Sequence, residues 1–406
     1  MAYKITPQMY EKIKHFARFP QTGVSLRQMV MFGQNPSQGT LLKATQFLAD
    51  ELPIRIAHRV KELDNLPHNL SEMPSIVRVK NWYAQSFEEL INFPKPELPQ
   101  SIRERLFATS NPSNPSTTIM STATKLGHGY YSHVDDIDWP PEVRYYNEKF
   151  TKLIEAIKRR HDPVVTTVGI LEYKQHKKST MIDTDIQSFL DRFYMSRIGI
   201  RILIGQHVAL NRLPSRPDYV GIICTKTNIA KTVQEAVDNA RFICEEYYGL
   251  FRAPEIQLYC PEELSFTYVP THLNHMLFEL LKNSLRALVE LFGDDVDEYP
   301  TIKVIVAEGK EDITIKILDE GGGIPRSNIP LVWTYMYTTA EAQTLDPNFS
   351  QSDFKAPMAG FGYGLPLSRL YARYFGGDLK LISMEGFGTD VYLHLNRISN
   401  SDEPLH

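Results

Sequence analysis

The chain has 406 residues, 42% of them apolar and 23% charged, with 44 basic against 48 acidic side chains. That is the composition of a soluble globular protein, and a net charge of −4 speaks against nucleic-acid binding through a broad basic field. No apolar run approaches the ~18 residues of a membrane helix, and at about 150 residues per domain the length fits two or three domains.

Met1–Phe16 lacks the apolar h-region of a secretory signal and is not Arg/Ser-rich enough for a transit peptide. The first half reads as helices. In Thr40–Val60 the positions Leu41, Leu42, Ala44, Phe47, Leu48 and Leu52 keep a period near 3.6. Pro53 is expected to open a further turn, since proline suits a first helical turn. Ser75–Leu90 repeats the pattern through Ile76, Val79, Tyr83, Phe87 and Leu90, as do Asn147–Arg160 and Asp183–Asn211. Four amphipathic helices predict a four-helix bundle over residues 1–214. Within it Leu106–Val143, rich in Ser, Thr, Asn and Pro, reads as a long mobile surface insert.

Past Leu213–Pro217 the pattern changes. Short β-rich runs (Tyr219–Cys224, Ile256–Cys260, Ile302–Ala307, Ile313–Leu318, Leu379–Ser383, Thr389–Leu395) alternate with helical stretches at Ile229–Tyr248, Thr271–Phe292 and Leu365–Tyr374. The fold class is α+β, with a second domain over 215–396 built as one sheet covered by helices, and a short tail at 397–406. Cys224, Cys244 and Cys260 have no C-x-x-C spacing and cannot all pair, which fits a reducing compartment without structural zinc.

The stretch 272–290 carries two stripes. Leu273, Met276, Leu277, Leu280, Leu281, Leu285 and Leu288 form an apolar face, and His275, Glu279, Lys282, Asn283, Arg286 and Glu290 line the other side. Three glycine clusters follow: Asp319–Ile324, containing Gly321 and Gly323, after a strand; Gly360–Leu365 before a helix; and Gly386–Thr389 between two strands. Glycines at a helix start let backbone N–H groups approach phosphate. Asp319, at a strand end before three glycines, would by itself read as a turn-forming residue; the surrounding glycine boxes favour a carboxylate that accepts from a nucleotide base. The polar segment Thr338–Met358, between glycine boxes, reads as a lid over bound nucleotide.

The order of these boxes resembles the Bergerat ATP-binding fold of histidine kinases, type II topoisomerases, Hsp90 chaperones and MutL-type proteins. Within that superfamily the chain is similar to the mitochondrial α-keto acid dehydrogenase kinases, and most to the pyruvate dehydrogenase kinases. The matching stretches are Leu52–His58, Phe193–Arg201, Phe278–Asn283, Tyr335–Ala340 and Gly360–Tyr371. The insert and the tail, which lacks an Asp-Trp ending, depart from the animal members.

The resemblance implies transfer of the ATP γ-phosphoryl group to a serine of the E1 alpha subunit of pyruvate dehydrogenase, with Mg²⁺. It makes Glu279 the general base, tuned by His275 one turn away, with Lys282 beside it. It makes Asn283 the Mg²⁺ ligand, and Arg286, Asp319, Gly321, Gly323, Thr338, Thr339, Gly360, Phe361, Gly362, Tyr363, Gly364, Leu365 and Thr389 the nucleotide-binding set. It also implies an E2 lipoyl domain as partner, on an apolar surface including Met29, Phe32 and Phe47, a homodimer, and the mitochondrial matrix as compartment. An effector pocket for pyruvate or dichloroacetate maps onto Tyr83, Ser86, His161, Arg197 and Arg201; carboxylate pairing of the two arginines is the alternative there. The competing functions are the branched-chain complex's kinase, a histidine kinase using His161, an ATP-gated clamp, and a non-catalytic nucleotide-binding scaffold.

Overall fold

The computed structural model describes residues 3–34, 36–67, 69–95, 99–100, 139–162, 184–214, 216–294, 296, 298–337, 362–397 and 404. They form two compact units that divide between Ile222 and Ile223. No described helix is long and apolar enough to cross a membrane.

In the first unit, α1 (Pro7–Phe16) and α2 (Leu26–Gly33) are helices that the periodicity reading left out. α2 opens on a capping box: the Ser25 hydroxyl accepts from the Gln28 backbone N–H, and the Gln28 side chain accepts from the Ser25 N–H. The long helices are α3 (Gln38–Asp64), α4 (Pro74–Ile91), α5 (Pro141–His161) and α6 (Thr184–Arg212). α3 packs against α4, α5 and α6, and α5 against α4 and α6. Leu42, Ile56, Val60, Phe87, Phe150, Ile154 and Phe193 are buried among them.

Two expectations need correcting. Pro53 does not open a new turn; it sits inside a continuous 27-residue α3. Its missing N–H leaves the Ala49 carbonyl without its helical donor, a cost of about 3 kcal/mol, and its ring is buried. Nor does the insert reach Val143. α5 starts at Pro141, and buried Val143 packs with Leu42, Trp139 and Tyr146. The rest of the insert, 106–138, lies outside the described residues.

At the exit of α6, Gln206 is buried and its amide serves the backbone. Nε2 donates to the Val220 carbonyl at 3.0 Å, and Oε1 accepts from the Ile222 N–H at 2.9 Å.

The second unit holds β2 (Ile223–Asn228), α7 (Ile229–Tyr248), β3 (Ile256–Tyr259), β4 (Ser265–Tyr268), α8 (Pro270–Phe292), β5 (Ile302–Glu308), β6 (Asp312–Asp319), α9 (Gly364–Tyr374), β7 (Asp378–Met384) and β8 (Gly388–Asn396); β1 is the two-residue strand Tyr219–Val220. Strands β3-β5-β6-β8-β7 make one sheet, antiparallel except for β3 with β5. β2 pairs antiparallel with β4, a strand that the pattern reading missed. α8 packs on α7, α9 and β6. Because successive strand residues alternate faces, Ile313, Ile315, Ile317, Leu379, Val391, Leu393 and Leu395 are buried, while Ile305, Ile382 and Met384 are exposed on the other face.

Candidate active site

α8 forms one wall of a cavity of about 460 Å³, lined also by Gly321–Pro325, Asn328, Val332, Tyr337 and the start of α9. The apolar stripe read from the sequence is buried. The polar row is only partly a solvated face. Glu279, Asn283, Arg286 and Glu290 line the cavity, whereas the Lys282 side chain is only 4% exposed and pairs with Glu279 at 3.1 Å. Arg286 pairs with Glu290 at 2.9 Å.

Glu279 is seated against the first residue of α9: a Cβ on Gly364 would stand 2.6 Å from Glu279 Oε2. Gly323 has φ +68, and a Cβ there would collide with the Met384 carbonyl. Gly323 therefore demands glycine, whereas a side chain at Gly364 would require the Glu279 carboxylate to shift. His275, one turn before Glu279, has its pKa lowered: burial disfavours the imidazolium, outweighing the attraction of Glu279, and Lys282 adds to the lowering. Its ring meets Tyr371 of α9 edge-on, with centroids 5.4 Å apart.

Asp319 ends β6 opposite Thr389 of β8. Its carboxylate is 7% exposed and accepts from Ser284 Oγ at 2.7 Å, from the Gly321 N–H at 3.1 Å and from the Thr389 backbone N–H. Burial raises its pKa, and the three donors pull the other way. Thr389 Oγ1 lies 2.9 Å from Ser383 Oγ, which also accepts from the Ile324 N–H at 2.7 Å. Ser284 and Ser383 were not singled out from the sequence. Ser284 sits at the edge of the apolar stripe, directly after Asn283, and a buried hydroxyl there needs a partner.

Gly362, Tyr363, Gly364 and Leu365 are at or beside the cavity, Gly362 accepting from the Met336 N–H at 3.0 Å. Thr338, Thr339, Gly360, Phe361 and the expected lid Thr338–Met358 lie outside the described residues.

The first unit holds a second group of singled-out residues. Tyr83 stacks on His161 with centroids 4.3 Å apart, and His161 Nε2 lies 3.0 Å from Ser86 Oγ. Burial, reinforced by Arg197, lowers the His161 pKa to about 3. Arg197 donates to the Asp162 carbonyl at 3.2 Å, and Arg201 pairs with the Asp162 carboxylate. Both arginines were expected to be largely buried; both are half-exposed. Asp162, the first carboxylate after the basic run Lys158–His161, was the missed partner. Met29, Phe32 and Phe47 are all buried.

Comparison with known proteins follows the same division. Residues 268–398 match the family model "Histidine kinase-, DNA gyrase B-, and HSP90-like ATPase", and residues 23–224 match "Mitochondrial branched-chain alpha-ketoacid dehydrogenase kinase". Over 98% of its length the chain is 50% identical to the mitochondrial [pyruvate dehydrogenase (acetyl-transferring)] kinase of Schizosaccharomyces pombe, covering 98% of that protein. The chain belongs to the pyruvate dehydrogenase kinase family. A second member of that family, from Arabidopsis thaliana, is 44% identical with full coverage of both chains. Human isozyme 3 of pyruvate dehydrogenase kinase is 38% identical over 96% of this chain and 86% of its own. The second unit is thus the ATP-binding domain of a kinase, and the cavity beside α8 lies within it.

Proposed function

We propose that the chain is a protein-serine kinase that transfers the γ-phosphoryl group of Mg-ATP to the E1 alpha subunit of pyruvate dehydrogenase in the mitochondrial matrix. The carrying observation is Glu279 and Asn283 side by side on one wall of the cavity, with the buried Asp319 carboxylate beside it. The cavity fits a nucleotide. Asp319 offers an acceptor to the adenine amino group, and Gly323 and Gly364 let backbone close on the ligand. Asn283 offers a carbonyl oxygen to Mg²⁺, which takes few protein ligands beside phosphates and water and would neutralise the triphosphate. Glu279 accepts the serine proton, and Lys282 holds its carboxylate in place. Thr338, Thr339, Gly360 and Phe361 complete the phosphate-binding segment in this reading.

Incubation with labelled ATP and each of two E1 components, from the pyruvate and the branched-chain complexes, tests it. Acid-stable phosphoserine on the pyruvate E1 supports the reading; preferential labelling of the branched-chain E1 transfers it to that complex. An acid-labile phosphoprotein points to histidine phosphorylation, against which His161 is already buried under Tyr83. Free phosphate alone points to a clamp.

The partners follow the same reading. The second unit leaves Ile305, Ile382 and Met384 exposed on a sheet face, and a second copy of the chain covers it in the homodimer. The E2 lipoyl domain docks on the first unit near α2, where buried Met29, Phe32 and Phe47 form the floor. Tyr83, Ser86, His161, Arg197 and Arg201 take pyruvate or dichloroacetate, displacing Asp162 from the arginines. Arg197→Ala should abolish inhibition by millimolar dichloroacetate without changing ATP affinity; inhibition at the parent level in that variant moves the effector elsewhere.

A further inference from the structure

We propose that Tyr371 is a positioning residue: its ring locks the His275 imidazole beside Glu279, so that α9 fixes the base and its neighbour as one piece. The inference rests on the reading of Glu279 as the base.

α9 grips α8 at two points. At its first residue, Gly364 leaves only the room that the Glu279 carboxylate fills. Seven residues later, two turns along the same face, the Tyr371 ring meets His275 at 5.4 Å with an interplanar angle of 75° and His272 at 4.8 Å with 54°. His272, His275 and Glu279 are spaced i, i+3 and i+7, so they share a face of α8. Edge-to-face packing of aromatic rings has a preferred geometry, so the tyrosine restricts rotation of the imidazole. A ring held there stays in the electrostatic reach of Glu279; a ring free to turn spends part of its time elsewhere.

The far end of α9 is anchored independently. Arg369 and Arg373 share the Asp378 carboxylate at 3.1 and 2.9 Å, and Arg369 lies over the Trp333 ring at 4.6 Å. Loss of the Tyr371 ring therefore frees the histidine without detaching the helix.

The test uses the full chain carrying Tyr371→Phe, Tyr371→Leu, His275→Ala and the Tyr371→Leu/His275→Ala pair, with kcat and the ATP KM measured on the E1 substrate. A misplacement of about 1 Å can cost about 10²-fold in rate, so the partial loosening in Tyr371→Leu should lower kcat about tenfold with the ATP KM within about twofold of the parent. Tyr371→Phe should keep most of the activity. In the His275→Ala background the Leu substitution should cost almost nothing further, since residues acting through one group are not additive. Independent, multiplying losses overturn the inference, as does a raised KM with kcat intact, the mark of general α9 packing. If the Leu variant does not fold, Tyr371→Met keeps a flexible apolar filler there and carries the same comparison. Glu279→Gln, measured alongside, separates the two levels. An active Gln variant refutes the base assignment and the inference with it. An inactive Gln variant beside a fully active Leu variant refutes the inference alone.

Discussion

Replacing Ser284 by alanine removes a hydroxyl that donates at 2.7 Å to a carboxylate almost sealed from solvent. A hydrogen bond to a charged group contributes about 1.5–3 kcal/mol, and its loss leaves Asp319 Oδ2 without that donor. In a unit of about 180 residues, Ile223–Asp402, each kcal/mol moves the melting temperature by about 2–4 °C, so a fall of about 3–12 °C is expected at neutral pH. The pH dependence has a definite sign. Burial raises the pKa of Asp319 above its ordinary value of 3.8, so its protonation favours the folded state at low pH, and that contribution disappears as pH rises through the folded pKa. Ser284 bonds the ionised form. Its removal therefore costs most at neutral pH and least once Asp319 is protonated, and that protonation sets in at higher pH in the variant. Asp390 on β8, paired with Lys316 at 2.8 Å, also raises the Asp319 pKa.

Nucleotide titrations carry the argument to function. A carboxylate selects the amino edge of adenine; a protonated carboxyl donates, and suits the oxo edge of hypoxanthine. Ser284→Ala should weaken ATP by about tenfold, equivalent to about 1.4 kcal/mol, leave inosine triphosphate nearly unchanged, and be rescued by Ser284→Thr. Melts from pH 5 to 8 with both nucleotides decide it. A melting shift that does not vary with pH, or equal loss of both nucleotides, would refute the reasoning.

Glu279→Gln should reduce phosphoryl transfer by about 10²–10⁴-fold with ATP affinity near the parent's; single-turnover assays with a nucleotide titration check both halves. Phe32→Ser should destabilise by about 3 kcal/mol or more, because the ring is core, so a drop in melting temperature should accompany any loss of E2-stimulated activity. His161 and His207 are both buried with pKa values lowered to about 3 from an ordinary 6.5. The stability they contribute is complete above pH 6.5 and is lost as pH falls toward 3, at up to ~1.4 kcal/mol per pH unit for each. Urea titrations of the parent and of His207→Phe across that range should show a shallower acid slope in the variant.

Much of this was legible in the residues, because apolar period survives in any context that buries one face. Helix α7 was read to the residue, and the stripe of α8 is the buried one. What escaped is what period cannot report. α1 and α2, with ten and eight residues, are too short for a sustained stripe. α3 runs through Pro53 because tertiary burial overrides the local cost of proline. β4 has four residues, and its side chains pack only once β2 is beside it. In the site, helical phase placed Glu279 and Asn283 on one polar row and glycine context marked Asp319, while their roles came from the family resemblance. Ser284 and Asp162 did not: their meaning is a partner 35 residues away in one case and 39 in the other. Helical phase put Lys282 on the polar row but could not report that it is covered and paired with Glu279, because phase gives a direction, not the depth of what covers it.

The amide of Gln206 has a consequence for where the chain can be cut. By serving the Val220 carbonyl and the Ile222 N–H from within α6, it binds the last residues of the first unit as a strand partner would. A protease needs an extended segment that it can lift into its own cleft, and a backbone already paired does not come away. The proline-bearing stretch before it is held more locally: the Leu213 N–H donates to the Ala209 carbonyl at 3.0 Å and the Tyr219 N–H to the Arg216 carbonyl at 3.2 Å, while Leu213, Pro214, Arg216, Pro217 and Asp218 are exposed. The junction between the units is therefore not a uniform tether. It is an exposed stretch followed by a fastened one, and limited proteolysis should cut upstream of the fastening rather than within it.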